Sequence, residues 1–240
     1  MRAKSICVGA ALLAGTLAAL PAAQAAYLGP TPYLSFADSP FNGQPMFSWF
    51  HLEDFEDGAL NTPGVSASAG GVLGPGALTD SVDGDDGAID GAGTAGHSWF
   101  SNGSASSMTF TFSAAVLGAL PTHVGIVWTD VGVVAPTNGF GPVTFEAFDA
   151  TNASLGVMGP FAFGDGSAAG ATAEDRFLGA TDPGGISAVR ITTTNSTDWE
   201  VDHLQYGLAP IPEPSAWMLL GAGLAGLCAQ RRRITRRLGG

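Results

Sequence analysis

The densest chemistry in the chain lies in eleven residues, Asp80-Ser81-Val82-Asp83-Gly84-Asp85-Asp86-Gly87-Ala88-Ile89-Asp90. Aspartates interleaved with glycines put hard oxygen donors on a backbone free to curl, the combination that Ca2+ takes. Asp83-x-Asp85-x-Gly87 echoes a calcium loop, without a third regularly spaced ligand or a closing glutamate. A second acidic group, Glu53, Asp54, Glu56 and Asp57, has a distant companion in Asp202. Glu56, Asp202, Asp83 and Asp85 are the candidate metal ligands, and Ca2+ is the one cofactor the residues offer. Solvated acidic loops are the competing reading of the same residues.

Trp99 is the candidate carbohydrate contact. In His97-Ser98-Trp99-Phe100-Ser101-Asn102-Gly103 it stands among small and polar residues, where an exposed ring would stack on a sugar. Core packing is the other fate of a ring this large.

Nothing singles out a catalyst. His51, His97, His123 and His203 have no metal-ligand spacing. A Gly-x-Ser-x-Gly elbow is absent, and both cysteines, Cys7 and Cys228, sit in terminal apolar segments. Carboxylates are so many that any pair can be nominated for glycoside hydrolysis, which makes the nomination empty. The expectation is a protein that is not an enzyme.

The segments that must position these residues read as strands. Met108, Phe110 and Phe112 alternate with threonines, and Val124, Ile126 and Trp128 follow in period two. Further strands are expected over 46–55, 143–148, 153–158, around Phe177, over 186–193 and over 199–206, with residues 149–152 as a turn. Residues 58–96, rich in Gly, Ala, Ser, Pro and Asp, read as a long surface excursion with short strands. Four prolines make 26–45 an irregular lead-in. The fold class expected is all-β, a two-sheet antiparallel sandwich of jelly-roll type over residues 46–207.

Charge narrows the partners. The chain holds 21 acidic and 9 basic residues. Seven of the basic ones lie in the two terminal segments, so only Arg176 and Arg190 face twenty carboxylates between them. Binding to nucleic acid, or by that body to an anionic membrane surface, is excluded on this balance.

The two ends are addresses. Arg2 and Lys4, the apolar run Ile6 to Leu20 and Ala23-Gln24-Ala25 compose a secretory signal peptide over residues 1–25, cut after Ala25. At the other end, Ile211-Pro212-Glu213-Pro214 precedes an apolar run and then Arg231, Arg232, Arg233, Arg236 and Arg237. The run, over about 214–230, is short for a bilayer span, but the arginines resist translocation and would hold their end in the cytoplasm.

In that order, the segment 208–240 resembles the PEP-CTERM sorting signal. The resemblance implies a bacterial protein exported to the cell surface or matrix, tethered meanwhile by a single transmembrane helix. It makes an exosortase-type membrane protease the partner that reads Pro212, Glu213 and Pro214, with Arg231 to Arg233 as the stop signal, and it associates the protein with extracellular polysaccharide. More loosely, Glu53-Asp54-Phe55-Glu56 and Trp199-Glu200-Val201-Asp202-His203-Leu204-Gln205-Tyr206-Gly207 are similar to the first and last strands of calcium-stabilised, carbohydrate-binding jelly rolls. That likeness implies neighbouring strands whose acidic side chains share a structural Ca2+. Three functions follow in order of support: a surface or matrix protein, a carbohydrate-binding module, and a polysaccharide hydrolase.

Overall fold

A computed structural model of the chain describes residues 25–43, 47–85, 96–131, 142–163, 175–210 and 223. Apart from Ala25 and Gly223, the signal peptide, the apolar C-terminal run and the arginine cluster therefore lie outside the described residues. Among the described residues, no helix is long and apolar enough to cross a membrane.

Twelve strands are described: β1 (Ala26–Pro32), β2 (Trp49–Glu53), β3 (Val65–Ala67), β4 (Gly71–Leu73), β5 (Ser98–Phe100), β6 (Ser107–Phe112), β7 (His123–Val131), β8 (Val143–Asp149), β9 (Ser154–Phe161), β10 (Arg176–Thr181), β11 (Ile186–Thr193) and β12 (Trp199–Leu208). They form two antiparallel sheets. Sheet A runs β1-β10-β7-β12-β5-β4, with β2 also on β12, and sheet B runs β3-β6-β11-β8-β9. The helical element α1 (Ala114–Leu117) is a single turn between β6 and β7, closed by Gly118 in the left-handed region.

The period-two pattern works where one face meets the other sheet. In β6, Met108, Phe110 and Phe112 are buried while Thr109 and Thr111 are not. With Ile126, Trp128, Phe145, Val189, Ile191, Val201, Leu204 and Tyr206 they make the core between the sheets. Sheet A is covered on its other face too. Tyr33, Phe41 and Val82, from the segments before β2 and before β5, pack there on Val127 and Phe177. That second layer explains why β12 is buried along nearly its whole length: a strand covered on both faces loses its solvent side.

Two expectations change. The lead-in is not irregular throughout, because Ala26–Pro32 pairs with β10. Its prolines fit since β1 is the edge of sheet A, where a strand interrupted between Leu28 and Thr31 can omit ladder donors. The excursion over 58–96 does not stay at the surface: Thr79, Asp80, Ser81 and Val82 are buried against sheet A.

Candidate functional site

The last strand organises the acidic residues. On β12, Val201 and Leu204 both face the core, although residues three apart in a regular strand face opposite ways. A bulge reconciles them. Pairing with β7 shifts register between Asp202 and Gln205, and His203 takes a positive φ of 44°. One extra residue is thereby accommodated, and Asp202 and His203 both reach the loops over the outer face. The bulge falls where β12 exchanges partners on its other edge, from β5 at Glu200 and Val201 to β2 from Leu204 onward.

The aspartate-rich segment docks at that exchange point. Backbone N–H of Val82 donates to Asp202 Oδ2 at 2.9 Å, and the Ser81 hydroxyl lies 3.2 Å from the same oxygen. Ser81 also reaches Glu56 Oε1 at 3.4 Å. Glu56 in turn accepts from the His97 backbone N–H at 2.5 Å and faces the His97 ring at 3.2 Å. One strand register earlier, Glu200 Oε2 accepts from Asp80 N–H at 3.0 Å and from the Ser98 hydroxyl at 2.5 Å. The two acidic groups that are far apart in sequence thus meet around Ser81.

A buried relay runs from there under the lead-in. Ser39 donates to Gln205 Oε1 at 2.5 Å, and Gln205 Nε2 donates to the Tyr33 hydroxyl at 2.8 Å. The Tyr33 hydroxyl lies 3.0 Å from His203 Nδ1, and His203 Nε2 lies 3.1 Å from Asp83 Oδ2. When His203 is protonated both ring nitrogens donate, Nδ1 to Tyr33 and Nε2 to Asp83; when it is neutral with Nδ1 as the acceptor, the Tyr33 hydroxyl donates to it. In that neutral state the imidazole carries its hydrogen on Nε2, because the Asp83 carboxylate it faces can only accept.

Burial sets the electrostatics. Desolvation pushes Glu200 up to about 8 against the hydrogen bonds from Ser98 and Asp80, with Asp130 and Asp198 adding to the rise. It pushes Asp202 up to about 7, opposed by the charge of His203 and the donors from His203 and Val82. For His203 burial works against the charged form, but the attraction of Asp202 and the bond to Asp83 more than offset it, and the net shift is upward. Burial drives Tyr33 far above the ordinary phenol range. A phenol so shifted is no nucleophile at neutral pH, and the relay resembles a catalytic triad in connectivity alone.

Glu56, Asp83 and Asp202 converge on one region, yet their oxygens turn to separate donors: backbone N–H groups, a serine hydroxyl and an imidazole. That donor set does not fit Ca2+, which wants those lone pairs itself. Among the described residues no group of three His, Cys, Asp or Glu could hold a metal ion. The Asp85 side chain lies outside the described residues, as do 86–95.

Trp99 is corrected. Only 9 % exposed, it packs its ring on Phe55 and Phe110 and donates from Nε1 to the Ala69 carbonyl at 3.1 Å. Small neighbours suggested a loop; they are instead the close-packed partners of β4 and β5. It offers a sugar no open face.

Sequence reasoning missed Tyr33, Ser39, Ser81, Glu200 and Gln205. For Glu200 and Gln205 a signal existed: the spacing of Val201 and Leu204 within an otherwise alternating strand marks the bulge. Tyr33 and Ser39 carried none, since their partners lie some 170 residues away.

The PEP-CTERM protein-sorting motif matches residues 210–233. No curated protein and no solved structure matches the chain. Pro212, Glu213, Pro214, Arg231, Arg232 and Arg233 fall within the matched span and outside the described residues.

Proposed function

We propose, for a chain that carries an exosortase-directed sorting motif and is exported by it, that the β domain is a non-catalytic component of the extracellular polysaccharide layer. The observation that carries this reading is the motif at 210–233, directly behind the last strand. The domain supports it: a disulfide-free body in which Arg176 and Arg190 are the only basic side chains between the two addresses. Such a surface stays soluble through self-repulsion and avoids anionic polymers unless a cation bridges them. In fractionated cultures, the protein is expected to stay with the cell-associated polysaccharide of the parent strain. In a strain lacking that polymer it moves to the medium. Equal partition in both strains would refute retention by polysaccharide.

The second reading, a calcium-stabilised carbohydrate-binding module, draws on the strand order. Taking β2, β6, β7, β8, β9, β10, β11 and β12 in turn, sheet A has β10-β7-β12-β2 and sheet B has β6-β11-β8-β9, which we read as a jelly roll. The pairing of β2 with β12 agrees with this. Its calcium would need ligands beyond Glu56, Asp83 and Asp202. If it is correct, millimolar Ca2+ raises the melting temperature at pH 7 and a chelator lowers it, since a ligand of the folded state stabilises by mass action. Superimposable melting curves would dispose of it.

A further inference from the structure

The strand registers place both terminal addresses at one end of the sandwich. Ala26, the first residue of β1, pairs with Thr181, Thr181 with His123, and His123 with Gly207. The predicted start of the mature chain and the exit toward the sorting tail therefore lie on one row of sheet A. They are three strand steps apart, roughly 14 Å at the usual spacing. Backbone bonds knit this end together: Thr122 N–H donates to Gly207 O, Asp182 N–H to Thr122 O, and Ile186 N–H to Pro121 O. From Leu208 to Pro212 is four residues, at most about 14 Å of extended chain. A domain tethered by so short a link cannot stand off from the surface in which its tail is embedded.

The surface at that end suits such a neighbour. Ser113 to Pro121 contains no charged residue, and within it Val116 is 64 % exposed. Leu117 and Leu120 are half-buried beside it. Asp149 and Asp182 border this row, Asp182 almost fully buried, and Asp57 is bonded to Asn61, three residues before the Gly64 that accepts from Ser113 N–H and packs on Leu117. Six carboxylates lie toward the opposite end, where Glu56, Asp80, Asp83, Asp130, Glu200 and Asp202 gather around the start of β12. Glu200 is eight residues from Leu208, roughly 26 Å along the strand. That is more than two Debye lengths at physiological salt, so the acidic end would feel little repulsion from anionic lipid under the other end.

We infer that the end bearing Ser113 to Pro121 is a membrane-docking face, which rests on the headgroup boundary of the bilayer while the sorting tail spans it and points the acidic end outward. The inference depends on the tail being membrane-inserted, as the sorting reading requires. Its surface chemistry is that of an uncharged interfacial contact, in which exposed apolar side chains enter the headgroup region and no basic residue is needed. The strong negative charge of the whole chain had argued against any contact with an anionic surface; the strand registers hold the six carboxylates around the start of β12 away from it.

The test uses the tethered chain, recovered from membranes of cells lacking the exosortase and reconstituted in phosphatidylcholine–phosphatidylglycerol vesicles with headgroup-level spin-labelled lipid. With Cys228→Ser as background, a fluorophore is placed by Val116→Cys at the docking end or by Leu78→Cys, 65 % exposed, near the acidic end. The Val116 label should lose about half of its emission and the Leu78 label almost none, as expected for one site at the headgroup boundary and one in water. If neither label is quenched while the tail resists alkaline carbonate extraction, docking is overturned and the sorting reading survives. Equal quenching of both overturns the orientation. A tail that carbonate extracts overturns docking and sorting together.

Discussion

In a calcium-free buffer the melting temperature is expected to fall as pH rises from about 5 to about 8.5, and to level off beyond. Glu200 and Asp202 carry folded values of about 8 and about 7, against 4.5 and 3.8 for the free groups. Between those limits the native state holds protons that the unfolded chain has released, so unfolding stability declines with rising pH across the window. The direction is the same for His203, whose raised value means that any stability gained from its charge is also lost as pH climbs. For Glu200 the shift corresponds to something of order 5 kcal/mol, a large share of the stability of a single domain. Glu200→Gln, which keeps an acceptor for Ser98 and Asp80 N–H without the titration, should flatten the slope markedly. Scanning calorimetry at pH 5, 7 and 8.5 makes the comparison. A melting temperature that rises across this range would mean that these carboxylates are ionised and compensated in the folded state. The effect is large because no Arg or Lys approaches the cluster among the described residues: donors to Glu200 and Asp202 are serine hydroxyls and backbone amides, with the His203 ring acting on Asp202 through its charge alone.

The second large effect belongs to the tail. Glu213→Ala should leave the protein in the membrane fraction of a strain whose exosortase is intact. Glu213 is the charged member of the Pro-Glu-Pro element, and losing a charge that a binding site has desolvated costs about 2 kcal/mol or more, roughly thirtyfold in recognition. Membrane and medium fractions, quantified by immunoblot, give the ratio. Release at the wild-type level would show that the element is not what the protease reads. Asp149→Asn, outside the sorting segment but equally a loss of one negative charge, serves as control. Its carboxylate organises the Thr151–Ala153 turn, where an amide retains an acceptor.

How much of this was legible beforehand depends on how local each signal is. Strands β6 and β8 announce themselves because alternating residues meet a single core face, so composition and burial coincide. In β7 the alternation of Val124, Ile126 and Trp128 describes only half of the burial. Val127 is covered as well, by Tyr33, Phe41 and Val82, and no pattern within β7 could foretell that layer. The lead-in was misread because four prolines suppress a strand prediction, yet an edge strand with a bulge tolerates the two that lie in it, Pro30 and Pro32. For the candidate site, the jelly-roll likeness implied that the strands of Glu56 and Asp202 are neighbours, whereas the aspartate-rich segment was read as a separate loop, and nothing in its composition said that it would dock beside them. Nor could composition tell that N–H donors and an imidazole would occupy the lone pairs of these carboxylates, since those partners come from Val82, His97 and His203 by way of the fold. Trp99 failed for a related reason: small residues beside a large ring describe a close-packed strand pair as well as they describe an open loop.

The account rests on the two addresses, and one measurement reads both. Mass spectrometry of the protein collected from outside the cell should find a chain that begins at Ala26 and ends close to Pro212, having lost the apolar run and all five distal arginines. An intact chain, recovered from the cytosol with Met1 and Gly240 both in place, would contradict it.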